Sequence, residues 1–221
     1  MRKLSALFTE ELRACSKLSA PIVLANTLSF MMPLVDSVFV GRLGVTEFAA
    51  ASISNALYQM IWLFMVGCCT AVTTLVSQAN GNKDQQAIKY WFRHAVVAIS
   101  LLSIPAMVLL FNGGLVIRHV FRQSGEISAM STTFCQLLVP GLYFNTVFVM
   151  IQNLMQAQGI MMPSVYCSFI GNLFNVAANY TLIFSLRLGT DGAALATTLS
   201  RFVLMASLAC FHCASRGRSG T

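Results

Sequence analysis

The chain has 221 residues, 57% of them hydrophobic and only 10% charged, against about 25% charged residues in a soluble domain. Apolar runs recur along nearly its whole length, which excludes a soluble domain with one anchor and implies a polytopic membrane protein. The formal net charge of +7 does not point to nucleic acid, because the basic residues lie between apolar runs rather than in a patch interleaved with aromatics.

The N-terminal stretch "MRKLSALFTEELRACSK" begins with basic residues, but Glu10 and Glu11 interrupt it and no signal-peptide core follows directly. Leu4, Leu7, Phe8 and Leu12 fit one helical face, so residues 1–17 are read as a cytoplasmic segment with an interfacial helix. Spans of about 20 residues are then expected near 18–40, 49–78, 94–111, 133–155, 165–185 and 193–213. The fold class is therefore all-α membrane protein, with a six-helix unit over 18–213 and a short, truncated-looking tail over 214–221.

Pro33 and Pro140 fall inside the first and fourth spans, where each removes a helical donor. The second span is long, and Gly67 is its expected weak point. "ANGNKDQQ" at 79–86 reads as a turn leading into a helix start, and "LFNGGLVIRHVFRQSGE" at 110–126 as a segment lying along the outer surface. With the N-terminus inside, the cytoplasmic segments hold Arg2, Lys3, Arg13, Lys17, Lys83, Lys89, Arg93, Arg216 and Arg218, nine in all. The outer loops hold four, Arg42, Arg118, Arg122 and Arg187, so the positive-inside rule favours a cytoplasmic N-terminus.

Seven cysteines are scattered through the chain, mostly where a cysteine acts as a small hydrophobe. "CFHC" at 210–213 lacks a second pair and is not read as a metal site. His94, His119 and His212 lie at span ends or in loops, and no nucleophile–base grouping or phosphate loop accompanies them, so enzymatic activity is not expected.

Polar residues on the spans carry the functional signal. Asn26, Ser29, Pro33, Asp36 and Ser37 share an arc of roughly 100° on the first span. On the fifth, Ser168, Asn172, Asn175 and Asn179 share about 60°. Asn55 and Gln59 stand one turn apart on the second span, and Thr197, Ser200 and Arg201 lie on the sixth. Such stripes serve either as interhelical glue or as the lining of a cavity or ion path. Asp36 is one of only seven carboxylates. A carboxylate at membrane depth costs about 2.5–3.5 kcal/mol at a helix centre, and it can take up or release a proton as its surroundings open and close. The sequon Asn179-Tyr180-Thr181 lies within a span, where a glycan is not expected.

The ordered stretches "KLSAPIVLANTLSFMMPLVDSVFVGRLG", "TTLVSQANGNKD", "QAQGIMMPSVY", "GNLFNVAANYTLIF" and "LRLGTDGAALATTLSR" resemble the multidrug and toxic compound extrusion (MATE) family over about residues 10–213, and are more similar to its eukaryotic members. The resemblance implies one six-helix lobe of a two-lobe secondary antiporter that expels small amphipathic or cationic compounds in exchange for H+ or Na+, with no other cofactor. It implies a coupling-cation site at Asp36, Asn175, Asn179 and Thr197, and helix bending at Pro21. Asn26, Pro33, Asn55, Gln59 and Asn172 join Pro21 as cavity-lining or hinge candidates. A multi-pass protein of the plasma or vacuolar membrane, in contact with lipid, is expected. Family members are roughly twice as long, so transport requires a second lobe or a homodimer partner. Two alternatives stand beside this reading: a lipid-linked precursor flippase of the same superfamily, for which Arg201 is the candidate basic residue, and a non-transporting fragment.

Overall fold

A computed structural model of the chain describes residues 2–122 and 125–218, except the side chains of 2–10, 14, 17, 18 and 215–218. Seven α-helices and one π-helical segment follow in order: α1 (Arg2–Gly41), α2 (Val45–Gly81), α3 (Gln85–Phe111), α4 (Gly113–His119), α5 (Glu126–Ala157), α6 (Met162–Asn179), the π segment Tyr180–Ser185, and α7 (Gly189–Arg218). Among the described residues six stretches are long and apolar enough to cross a membrane: Ser19–Gly41, Val45–Gly81, Gln85–Phe111, Glu126–Ala157, Met162–Ser185 and Gly189–Ala214. They coincide in order with the spans expected from the sequence, mostly extended by a turn or two where polar residues continue a helix beyond its apolar window.

α1 runs without interruption from Arg2 into its span, so the segment before the membrane is helical and continuous with it. Leu12 is exposed, whereas the side chains of Leu4, Leu7 and Phe8, which build the rest of that face, are not among those described, and residues 219–221 of the tail lie outside the described residues. α2 likewise passes through Gly67 as a single helix. The turn at 82–84 ends α2 and starts α3: Lys83 adopts a left-handed backbone with φ 56°. Asp84 then caps α3 by accepting from the backbone N–H of Gln86 and Ala87 at 3.0 and 2.9 Å.

The segment expected along the outer surface contains a short helix and leaves Leu115, Arg118, His119 and Val120 exposed. It forms α4, whose Gly113 and Ile117 are buried against the bundle, because Ile117 joins an apolar cluster with Leu57, Leu110, Phe134 and Leu138. A second cluster centres on Met65, Cys69, Leu154 and Leu208. α5 stands in the middle of the bundle and packs on α2, α3, α4 and α7, while α1 packs chiefly on α6. Large apolar side chains such as Val23, Phe30, Leu63, Phe64, Leu101 and Phe169 point outward, as lipid-facing residues do.

Four prolines lie inside helices, Pro21, Pro33, Pro105 and Pro140, and polar side chains bond the backbone near Pro33 and Pro140. Ser37 Oγ donates to the Pro33 carbonyl at 2.8 Å. Asn172 Nδ2 reaches from α6 to the Leu28 carbonyl at 2.8 Å, next to the turn that Pro33 interrupts. Thr198 Oγ1 of α7 donates to the Leu137 carbonyl beside the Pro140 turn at 2.7 Å. Serines tie α2 to α5 in a reciprocal pair: Ser54 donates to the Ser131 carbonyl and Ser131 to the Ala50 carbonyl, each at 3.1 Å.

Candidate functional site

Asp36 sits one turn before the end of α1 and is 4% exposed. Its carboxylate is held from two other helices. Oδ1 accepts from Asn175 Nδ2 at 3.2 Å and from Asn179 Nδ2 at 2.6 Å, both on α6. Oδ2 accepts from Thr197 Oγ1 of α7 at 2.6 Å. Asn179 also donates to Asn175 Oδ1 at 3.1 Å, which locks the two amides together one turn apart. The helical period makes this possible, since residues 175 and 179 occupy the same face of α6. A carboxylate so far from water needs several donors to replace its hydration, and these three side chains supply them.

Two features of this cluster suit an exchangeable cation. The Thr197 hydroxyl has one hydrogen but two acceptors in range, Asp36 Oδ2 and the Ala193 carbonyl at 2.9 Å. A proton on Asp36 would satisfy both, with the acid donating to Thr197 and Thr197 donating to Ala193. Separately, Asn179 Oδ1 is buried with no hydrogen-bond partner. With the carboxylate, Asn175 Oδ1 and Thr197 Oγ1, it makes the neighbourhood rich in oxygen, the ligand type that hard cations prefer.

One turn away along the same three helices lies a cavity with space for water of about 40 Å³. Ser29, Met32 and Pro33 of α1, Tyr58, Gln59 and Trp62 of α2, Asn145 of α5, Ser168 and Asn172 of α6, and Arg201 of α7 contribute to its walls. The polar stripe of the fifth span is therefore divided. Asn175 and Asn179 serve Asp36, while Ser168 and Asn172 face the cavity. Pro33 and Gln59 also line this space, whereas Asn26 and Asn55 form no part of its wall. Asn26 is exposed, Asn55 is half-buried, and Pro21 is buried well before the site on α1.

Tyr58 and Arg201 form the pairing that sequence periodicity did not reveal. The Arg201 guanidinium lies over the Tyr58 ring, 4.0 Å from its centroid, and Tyr58 Oη accepts from Asn145 Nδ2 at 3.2 Å. Gly141 on α5 leaves room for this arrangement, because a Cβ there would stand 3.3 Å from Arg201 Nη1 and 3.0 Å from Thr198 Oγ1. The sequon at Asn179 is consumed by the site, its amide buried and bonded to Asp36.

The MatE family model matches residues 21–181. Multidrug and toxin extrusion protein 1 of Mus musculus is 30% identical over 198 residues, 89% of this chain and 35% of that protein. Multidrug and toxin extrusion protein 2 of Oryctolagus cuniculus is 31% identical over 205 residues, covering 91% and 33%. Among solved structures, the eukaryotic MATE transporter AtDTX14 superposes with a TM-score of 0.87 at 22% identity, over 92% of this chain and 46% of that one. An outward-facing MATE family transporter of the MOP superfamily gives 0.82 at 19%, over 90% and 44%. The chain thus spans about a third of the length of these relatives and somewhat under half of the solved structures.

Proposed function

Because the chain belongs to the MatE family, we propose that it is one lobe of a secondary antiporter that exports small amphipathic or cationic compounds in exchange for H+ or Na+. The observation that carries this reading is the convergence of Asn175, Asn179 and Thr197 on the buried Asp36. The coupling ion occupies this cluster, as a proton on Asp36 or as a sodium ion among its oxygens. Exchange requires the cluster to open and close, and alternating access requires one six-helix unit to rock against another. The active assembly accordingly contains a second lobe or a second copy of this chain. Its setting is a plasma or vacuolar membrane, with the N-terminus in the cytoplasm as the loop charges favour.

The test is efflux of a fluorescent organic cation from proteoliposomes that hold the chain with its second lobe, under an imposed proton or sodium gradient. Wild-type efflux follows one of the two gradients, which names the ion. Asp36→Asn removes the ionisable group but keeps the size, and gradient-driven efflux falls at least about tenfold, the equivalent of one lost charge-assisted hydrogen bond. Unchanged efflux in Asp36→Asn would remove Asp36 from the coupling role.

A further inference from the structure

Arg201 is 5% exposed, within the membrane-spanning part of α7. Its Nη1 has no hydrogen-bond partner, and among the described residues no carboxylate forms an ion pair with it: Asp36 is engaged by Asn175, Asn179 and Thr197. Stacking on Tyr58 stabilises the face of the guanidinium but leaves the Nη1 hydrogens unanswered. A buried cation in this condition is costly unless something supplies acceptors.

The same cavity collects other unanswered groups. Trp62 Nε1 and Ser168 Oγ are buried without partners, and both residues line the cavity beside Arg201. Among the lining atoms that are both fully buried and unpartnered, Asn172 Oδ1 is the acceptor. An indole N–H and a guanidinium N–H can only donate, and the serine hydroxyl is free to do so. Among these buried, unpartnered atoms donors outnumber acceptors, and one donor carries a full positive charge. Water can accept from two of these donors but leaves the charge of Arg201 without a counter-charge, and an organic cation is repelled by Arg201. An acceptor-only ligand of negative charge fits. The space of about 40 Å³ exceeds the roughly 10–15 Å³ that one water needs, so a compact ion has room there.

We propose that this cavity is a binding site for a small monovalent anion of halide size, held by Arg201, Trp62 and Ser168. The site stands on these residues alone and does not depend on which ion, if any, Asp36 couples. Its charge has one neighbour to reckon with. Asp36 and Arg201 are the buried charged residues among those described, so a cation at Asp36 and an anion at Arg201 would offset one another across one helical turn.

The chain has two tryptophans, Trp62 and Trp91, and Trp91 lies away from this cavity, against α2 beside His94. In a Trp91→Phe background Trp62 is the only indole, and bromide, a contact quencher, reports on its surroundings. The experiment titrates potassium bromide into this protein in lipid nanodiscs at constant ionic strength, with gluconate as the large counter-anion. Saturable quenching that chloride reverses by competition is expected. Arg201→Gln is expected to weaken it at least about tenfold, as loss of a charge-assisted hydrogen bond implies, with the helical circular dichroism retained. If Arg201→Gln does not fold, Ser168→Ala takes its place, with a smaller weakening of the same kind. Quenching that rises linearly with bromide, ignores chloride, or is unchanged by these substitutions overturns the proposal. So would crystals grown in bromide whose anomalous signal is absent between Arg201 and Trp62.

Discussion

Asp36 and Arg201 are buried on neighbouring helices and do not pair. α7 separates them by one turn: Thr197 donates to the Asp36 carboxylate at 2.6 Å, while Arg201, four residues on, lies over Tyr58 at 4.0 Å. A direct ion pair would neutralise both charges and close the interior to ions. Solvating each charge separately, one with amides and a hydroxyl and the other with an aromatic face, leaves both able to interact with something that comes and goes. This arrangement is hard to explain by packing alone, since apolar residues of similar volume are often as stabilising as buried charges.

Thr197 is expected to matter through its hydroxyl rather than its shape. Thr197→Val keeps the volume but withdraws the donor from Asp36 Oδ2, and a hydrogen bond to a charged group contributes about 1.5–3 kcal/mol. Thermal unfolding in detergent should show Thr197→Val clearly destabilised and Thr197→Ser close to wild type. Equal losses in the two variants would mean that the methyl group, not the hydroxyl, is what the site uses.

Tyr58 separates two interactions that meet on one ring. Tyr58→Phe removes the acceptor for Asn145 Nδ2, at a cost of about 1 kcal/mol, and keeps the face beneath Arg201. Tyr58→Leu removes the face as well, adding roughly 2 kcal/mol for a desolvated cation–π contact. The order wild type, Phe, Leu in unfolding midpoint is the expected result. A double-mutant cycle with Arg201→Gln should assign most of the Phe-to-Leu difference to the Arg201 pair.

Much of this architecture was readable in advance, for a definite reason. In lipid the apolar windows must be long and continuous, so six spans could be placed in order, although the third and fourth begin nine and seven residues before their expected starts. The face shared by Asn172, Asn175 and Asn179 followed from the helical period. What period cannot report is which helix the face meets, and so the split of that stripe between Asp36 and the cavity was not legible. The Tyr58–Arg201 contact joins α2 to α7 across most of the chain and leaves no local trace. α4 escaped for a related reason: its Asn and Gly residues read as a loop, but Ile117 finds a buried position that only the folded bundle offers.

Asp84 offers a test outside the membrane site. Its side chain caps α3 through two backbone N–H groups, so Asp84→Ala should lower stability by about 1 kcal/mol, and Asp84→Asn or Asp84→Ser by less. Lys83 before it holds a left-handed backbone, where glycine is unstrained. Lys83→Gly is therefore expected to be tolerated, while Lys83→Val should cost stability. Unfolding midpoints of the five variants in one detergent would check the set.

The last prediction concerns the π-helical segment Tyr180–Ser185, which begins directly after Asn179. π segments carry an extra residue in the turn and recur at functional sites. Here the first turn of α7 presses against that segment through Gly192. A Cβ on Gly192 would stand 2.9 Å from the backbone C and O of Leu182 and 3.2 Å from the N of Ile183. Backbone cannot step aside as a flexible side chain can, so Gly192→Ala must push α7 away from α6. Asn179 on one side of this contact and Thr197 on the other both bind Asp36, so the displacement is felt at the carboxylate. Gly192→Ala is expected to destabilise by about 1–3 kcal/mol, the usual cost of overpacking, and to reduce gradient-driven efflux although it touches no ion or substrate. Gly67→Ala is the control: nothing lies within 4 Å of a Cβ there, and replacing glycine inside a helix gains up to about 1 kcal/mol. A Gly192→Ala protein as stable as wild type, with undiminished efflux, would show that the π segment and α7 move independently and that their contact does not set the geometry around Asp36.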